Sequence, residues 1–315
     1  MFAYIVRRLL FMVPTLLLLL FLVVFMVRLI PGNVTTLMLQ DNGANAGSRA
    51  QLNHKLGLDK SLAQTYVEYV GHAVEGDFGR SLWSGQPVMG RVASRIPITL
   101  ALMLEALVIT VVIAIPVGVL SAVAQDTPLD YLLRGGSTLF LCVPVFVIAT
   151  MVIILPAIWW GWSPNLQITS LGRDFVGTLR QLLLPAVIVG LGSAASLARI
   201  TRTQMLEVLR EDYVRTARAK GLSGSVVVLR HALRNGIIPV ITTIGLIFGS
   251  ALSGAVVIEQ IFAIPGMGQL LLQSVNLRDY PFVQAIVVLI GVWVMLVNLV
   301  VDVSYGLIDP KIRLA

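Results

Sequence analysis

One cysteine, three histidines and only 12% charged residues are what this 315-residue chain has least of. The single thiol, Cys142, excludes an intrachain disulfide, and its apolar setting predicts a small packing residue. His54, His72 and His231 are far apart in sequence and lack metal-ligand spacing. No G-x-x-x-x-G-K-[ST] phosphate loop occurs, and no nucleophile–base pairing is recognisable. Energy for any pumping must therefore come from another chain. Soluble domains carry about 25% charge. Half that figure, with 57% hydrophobic residues and a mean hydropathy of +0.88, marks an integral membrane protein. The pI near 9.9 does not indicate nucleic acid, because the basic residues cluster at membrane boundaries without an aromatic platform.

What is present is a set of long apolar runs. Six spans of about 20 residues are expected near 9–30, 98–124, 137–161, 182–199, 237–258 and 283–305. The run after Arg7-Arg8 is too long for a signal peptide and lacks a small-x-small cleavage site, so it is expected to remain as an anchor. The fold class is an all-α, six-helix membrane protein. Three regions follow: 1–30 with the first span, 31–97 as an external segment, and 98–315 as a core of five spans. Segment 31–97 has turn signals at Pro31-Gly32 and Asn42-Gly43 and a helical pattern from Ser61 to Val74. At about 65 residues it is small for an independent fold.

Charge sets the expected orientation. With the N-terminus inside, the short cytoplasmic pieces hold Arg7, Arg8, Arg134, Lys311, Arg313 and eight cations of 199–236. The short external loops hold Arg173, Arg180 and Arg278. Cytoplasmic loops are the ones enriched in Lys and Arg, so both termini and the 199–236 loop are predicted cytoplasmic. Within that loop, Asp212 is a good N-cap, Arg218 and Lys220 suit a helix C-terminus, and Gly221 suits a left-handed stop. The predicted helix, Tyr213 to Lys220, is too short to be stable without a surface to dock on.

The wording of this loop carries a resemblance. Tyr213-Val-Arg-Thr-Ala-Arg-Ala-Lys-Gly221, with His231-Ala-Leu-Arg-Asn235 and Pro239, resembles the ATPase-contacting loop of ABC importer permeases. Arg215-Thr216-Ala217 fills the position of the family's Glu-Ala-Ala. The missing Glu and the longer spacing to Pro239 point to the dipeptide/oligopeptide/nickel branch. Ile30-Pro31-Gly32, Leu56-Gly57-Leu58-Asp59, Gly76-Asp77-Phe78-Gly79-Arg80-Ser81, Glu259-Gln-Ile-Phe262, Pro265-Gly-Met-Gly268, Arg278-Asp-Tyr-Pro281 and Asp309-Pro310 are similar to that branch in the same order. The resemblance implies a type I importer fold in the bacterial cytoplasmic (inner) membrane, this chain being the first of two membrane subunits. It also implies a second, homologous permease, two cytoplasmic ATPases that bind ATP and Mg, and an external solute-binding protein. No catalytic, metal or cofactor residue is expected on this chain. ATP-driven alternating access would carry small peptides, or a nickel chelate, opine or oligosaccharide. A secondary transporter or channel would be expected to show internal repeats or several in-membrane charges, and an intramembrane enzyme a catalytic pair; neither is evident.

The resemblance assigns ATPase coupling to Asp212, Tyr213, Arg215, Thr216, Ala217, Arg218, Ala219, Lys220 and Gly221, with Ala217 and Ala219 small enough to sit against a partner. Pathway candidates come from the spans. Glu105 is a carboxylate about seven residues into the second span, facing the pathway or else reaching headgroups or an internal partner. Gly245, Gly249 and Ser253 form a small-xxx-small face for a close helix, intrachain or in the second permease. Glu259 and Phe262 are either an external gate or an ordinary helix end. Asp302 is read as a buried packing anchor. Gly190-Leu-Gly192-Ser193 is read as a small-residue stretch that cradles nothing.

Overall fold

The computed structural model describes residues 2–29, 60–163, 168 and 171–308, with backbone alone for 2–5, 27–29 and 305–308. The turn signals and motifs at 30–59 and 309–310 lie outside the described residues, as do His54, Lys311 and Arg313. The described chain is almost wholly helical, with one isolated bridge, Arg80 to Pro87. Its helices are α1 (Phe2–Leu29), α2 (Leu62–Val74), α3 (Val88–Val123), α4 (Pro128–Cys142), α5 (Val145–Trp160), α6 (Phe175–Leu209), α7 (Asp212–Ala219), α8 (Gly224–Ile261), α9 (Met267–Asn276) and α10 (Tyr280–Ile308).

Five of these, α1, α3, α6, α8 and α10, are long and apolar enough to cross a membrane singly. The third expected span is different. Instead of one helix over 137–161, the chain forms α4 and α5, bent by 91°. Pro144 explains the break. It has no N–H to continue α4, and its ring pushes Val143 into extended backbone (φ −90°, ψ 119°). The described helices thus give five spans, or six when the bent pair is counted as one. Cys142 lies at this break and is exposed, so the expected packing role is not what it has. Gly161 ends α5 in the left-handed region (φ 62°), and Trp159, Trp160 and Trp162 stand exposed around that end. The second span also starts earlier than expected, at Val88, because Pro97 is absorbed within α3.

The chain divides into two compact units. One comprises 97–268 and 296–315. Its core is the contact of α3, α6 and α8, in two layers: Ala114, Ala194, Leu197, Ala198 and Val240, then Val119, Ala122, Met205 and Ala232. Small residues dominate because the backbones approach closely. A Cβ on Gly118 would stand 2.5 Å from Thr201 Cβ and 2.7 Å from the Ala198 carbonyl oxygen. One on Gly190 would meet the Ala106 carbonyl at 2.9 Å and one on Gly192 the Val145 side chain at 2.9 Å, so the 190–192 stretch seats α6 on α3 and on the start of α5.

The other unit comprises 2–96 and 269–295. Here α2 begins with a capping box: Ser61 Oγ accepts from the Gln64 N–H, and Gln64 Oε1 accepts from the Ser61 N–H. Its inner face packs Tyr66, Tyr69 and Val70 on Leu20 and Val23 of α1, and the Tyr66 hydroxyl donates to the Leu17 carbonyl (3.0 Å). Burial without a partner pushes the Tyr69 hydroxyl pKa up. Two of the sequence motifs meet in this unit. Asp279 accepts from Ser81 Oγ (2.5 Å) and the Leu82 N–H (3.0 Å), while Trp83 Nε1 donates to the Leu277 carbonyl (2.8 Å).

Candidate functional site

The basic loop folds as expected around its short helix, with its boundaries shifted by one residue. α7 runs Asp212–Ala219; Glu211 is the N-cap, without a side-chain bond, and Asp212 is the first helical residue. Asp212 therefore does not cap. Its carboxylate lies 3.4 Å from Arg215 Nη2 instead, and both groups are largely exposed. The stop is the one expected. Gly221 sits at φ +77°, its N–H donates to the Arg218 carbonyl (2.9 Å), and the Leu222 N–H donates to the Ala217 carbonyl (3.4 Å). That is a Schellman closure, and it requires the left-handed residue.

The docking surface is now identifiable. Val214 and Ala217, three residues apart, are buried on Val208, Leu209 and Val227, which belong to the end of α6 and the start of α8. Ala217 thus faces its own chain, and the expectation that it meets a partner fails for it. Ala219 remains exposed, with Tyr213, Arg215, Thr216, Arg218 and Lys220. The Tyr213 hydroxyl accepts from Asn235 Nδ2 (2.8 Å), so Tyr213 is anchored at one edge while 40% exposed. The strip of α8 beneath α7, Val227–Ala232, is a π-helix, a form that concentrates at functional positions.

The pathway candidates separate into three environments. Gly245 and Gly249 face Val301 and Val297 of α10; a Cβ on Gly245 would overlap the Val301 side chain, and one on Gly249 would rest 3.6 Å from Val297 Cγ1. The small-residue face is thus an intrachain helix contact, and Ser253 is exposed beyond it. Glu259 and Phe262 are buried at the end of α8. Thr99 Oγ1 donates to Glu259 Oε1 (2.6 Å) and accepts from the Met267 N–H (2.8 Å). Gly266 and Gly268 close over the Glu259 carboxylate, where neither has room for a Cβ. This is a closed polar knot, and it leaves Glu259 no free face toward a pathway.

Glu105 is different. It lines an open, mostly apolar groove of about 740 Å³ between α3 and α6, with Leu104, Val108, Phe175, Arg180 and Leu183. Its Oε2 is buried and has no hydrogen-bond partner. Asp302 is half-buried in the last helix.

One cluster was not singled out from sequence. Asp130 is fully buried at the start of α4, where its Oδ1 and Oδ2 accept from Arg202 Nε (2.9 Å) and Nη2 (2.7 Å). Ser121 Oγ and the Asp126 N–H complete its partners. The local signal was legible: Thr127-Pro128-Leu129-Asp130 is an N-cap, a first-turn proline and an N3 acid. The partner, 72 residues away, was not.

Residues 114–314 match the family described as binding-protein-dependent transport system inner membrane component. Residues 1–103 match the N-terminal region of such membrane components. The chain is 39% identical to the di/tripeptide transport system permease protein DppB of Pseudomonas aeruginosa (strain UCBPP-PA14), over 99% of each chain. It is 38% identical to the oligopeptide transport system permease protein AppB of Bacillus subtilis (strain 168), covering 99% of this chain and all of that one. It is 39% identical to the glutathione transport system permease protein GsiC of Escherichia coli (strain K12), over 99% of each. Among solved structures, an amino acid ABC transporter crystallised with histidines shares the fold. Its TM-score is 0.54 at 14% identity, covering 69% of this chain and 94% of that one.

Proposed function

The chain belongs to the family of binding-protein-dependent transport system inner membrane components, and on that premise we propose that α7 is where it receives the motion of its ATPases. It is a multi-pass inner-membrane permease subunit of a binding-protein-dependent importer, and not an enzyme. Membership implies ATPase and binding-protein partners in general. Two cytoplasmic ATPases carrying ATP and Mg, a second homologous permease and an external binding protein are the specific assembly we propose. The observation that carries the reading is the construction of α7. It has an apolar underside (Val214, Ala217) seated on the ends of two spans, and an outward face of Tyr213, Arg215, Thr216, Arg218, Ala219 and Lys220 left open. A push on that face reaches α6 and α8 directly.

Glu105 is the residue we assign to the pathway, because an unpartnered carboxylate oxygen within a span is costly unless a wet cavity or a solute donor meets it. Small peptides are the proposed cargo, in line with the names of the relatives. Both termini and the 199–236 loop are placed in the cytoplasm, and 31–97 outside, on the charge asymmetry.

The test is Ala219→Arg, which adds a long cation to the outward face without touching the underside. The permease should insert and fold normally, while its ATPases detach or hydrolyse ATP without transport. Full ATPase copurification together with full peptide uptake would remove α7 from this role. Cysteines placed singly at Ser48 and Ser223 in a Cys142→Ser background check the topology. Labelling of Ser223 but not Ser48 by an impermeant reagent outside intact spheroplasts would reverse it.

A further inference from the structure

A second pocket, of about 230 Å³, lies between α3, α4 and α6, and no part of the transport reading uses it. Three guanidinium groups line it, Arg134, Arg199 and Arg202, with the carboxylate of Asp130 beside it and that of the exposed Asp126 acting on Arg202 from further away. The Asp130 carboxylate is already saturated. Arg202 takes it through two N–H groups, and Ser121 and the Asp126 N–H take the rest. Arg134 reaches it only at 4.0 Å and lies over the Tyr131 ring. Among the described residues Arg199 pairs with no carboxylate. The pocket therefore keeps an excess of positive charge, three guanidiniums against two carboxylates. Its hydroxyls do not supply donors, since Ser137, Thr138 and Thr203 all donate to helix carbonyls. The free N–H groups are those of the guanidiniums, whose fork matches phosphate oxygens. Val117, Leu133 and Leu141 add apolar lining. The volume is that of roughly eight waters at ~30 Å³ each, room for a phosphate with a glycerol arm.

We propose that this pocket binds a phosphate-bearing anion, held by Arg134 and Arg199 while Arg202 stays locked on Asp130. Basic pockets between spans are where anionic headgroups lodge, and apolar lining beside the cations suits one. The site does not depend on what the importer carries.

The experiment is a thermal-shift and native mass measurement on the full chain with its copurifying partners, in phosphatidylcholine nanodiscs with and without phosphatidylglycerol, and separately with inorganic phosphate. Arg134→Gln/Arg199→Gln removes the free guanidiniums but leaves the Asp130–Arg202 pair, and Arg173→Gln/Arg230→Gln is the charge control. Protection by phosphatidylglycerol, weakened about thirtyfold in the first variant and unchanged in the control, identifies a lipid headgroup. The same pattern with inorganic phosphate identifies a soluble anion. Equal protection by both lipids without any phosphate effect, or protection retained in the first variant, would overturn the proposal. If that double variant fails to fold, Arg199→Gln alone is read by the same criteria.

Discussion

Val214→Ala isolates the docking of α7 from its outward contacts. Val214 is fully buried, packed with Ala217 on Val227, Val208 and Leu209. The substitution removes two methyl groups, about 1.6 kcal/mol at ~0.8 kcal/mol per buried carbon. The cavity left between α7 and α8 raises this to about 2 kcal/mol, because a helix held by its own closing turn relaxes only partly. An eight-residue helix has almost no stability of its own, so nearly the whole loss falls on the docked–undocked equilibrium. A loss of 2 kcal/mol multiplies the undocked population about thirtyfold. Amide hydrogen exchange over 212–222 reads this directly, with exchange in α3 and α6 as the internal reference. Acceleration of 212–222 by about thirtyfold, with the reference amides unchanged, is the expected outcome. Coupled uptake should fall with it, while Ala219→Arg should disturb uptake with no change in exchange. Exchange in Val214→Ala within about threefold of the parent would mean that Val214 and Ala217 are not what holds α7 down, and the physical basis for transmission through α7 would be lost.

Three further outcomes are expected. Asp130→Asn should lower the thermal midpoint through a cost of about 3 kcal/mol, the low end for a buried pair, since Arg202 keeps 17% of its side chain exposed. The double variant Asp130→Leu/Arg202→Met should recover most of that loss, and failure to recover would deny that the pair itself is responsible. Gly245→Leu should cost about 1–3 kcal/mol by overpacking Val301, whereas Gly249→Ala should be nearly silent in the same melting assay, because its Cβ would find ordinary contact distance. Thr99→Val should destabilise by about 2–4 kcal/mol by stripping partners from both Glu259 and the Met267 N–H, and Thr99→Ser should restore the parent midpoint.

Hydropathy made the long helices legible, and the cap, charge and glycine signals made α7 legible to within one residue. Proline was the ambiguous letter. Pro14, Pro97, Pro116, Pro156, Pro185 and Pro239 all sit within continuous helices, and among the described residues only Pro144 breaks one. Nothing local distinguishes it, because the outcome depends on whether neighbouring helices compensate the lost hydrogen bond. The direction of Ala217 was readable from its i,i+3 spacing with Val214, but the resemblance drew attention to small size at a partner contact instead. The polar partnerships were out of reach in principle. Asp130 with Arg202, Thr99 with Glu259 and Ser81 with Asp279 join residues 72, 160 and 198 positions apart. No spacing rule spans such distances, and they exist only once the helices are assembled.

The bend at Pro144 also bears on the membrane around the protein. α5 has 16 residues, a rod of roughly 24 Å, against about 30 Å of hydrocarbon in a typical bilayer. Any tilt shortens its reach further. The three tryptophans at its end prefer the interface, so they fix one end of α5 at headgroup depth. Where α5 meets lipid on its own, the bilayer would have to thin by several ångströms, at a fraction of a kcal/mol per ångström. That side of the bent pair would then favour lipids of shorter chain length and make the protein sensitive to the thickness of its host membrane.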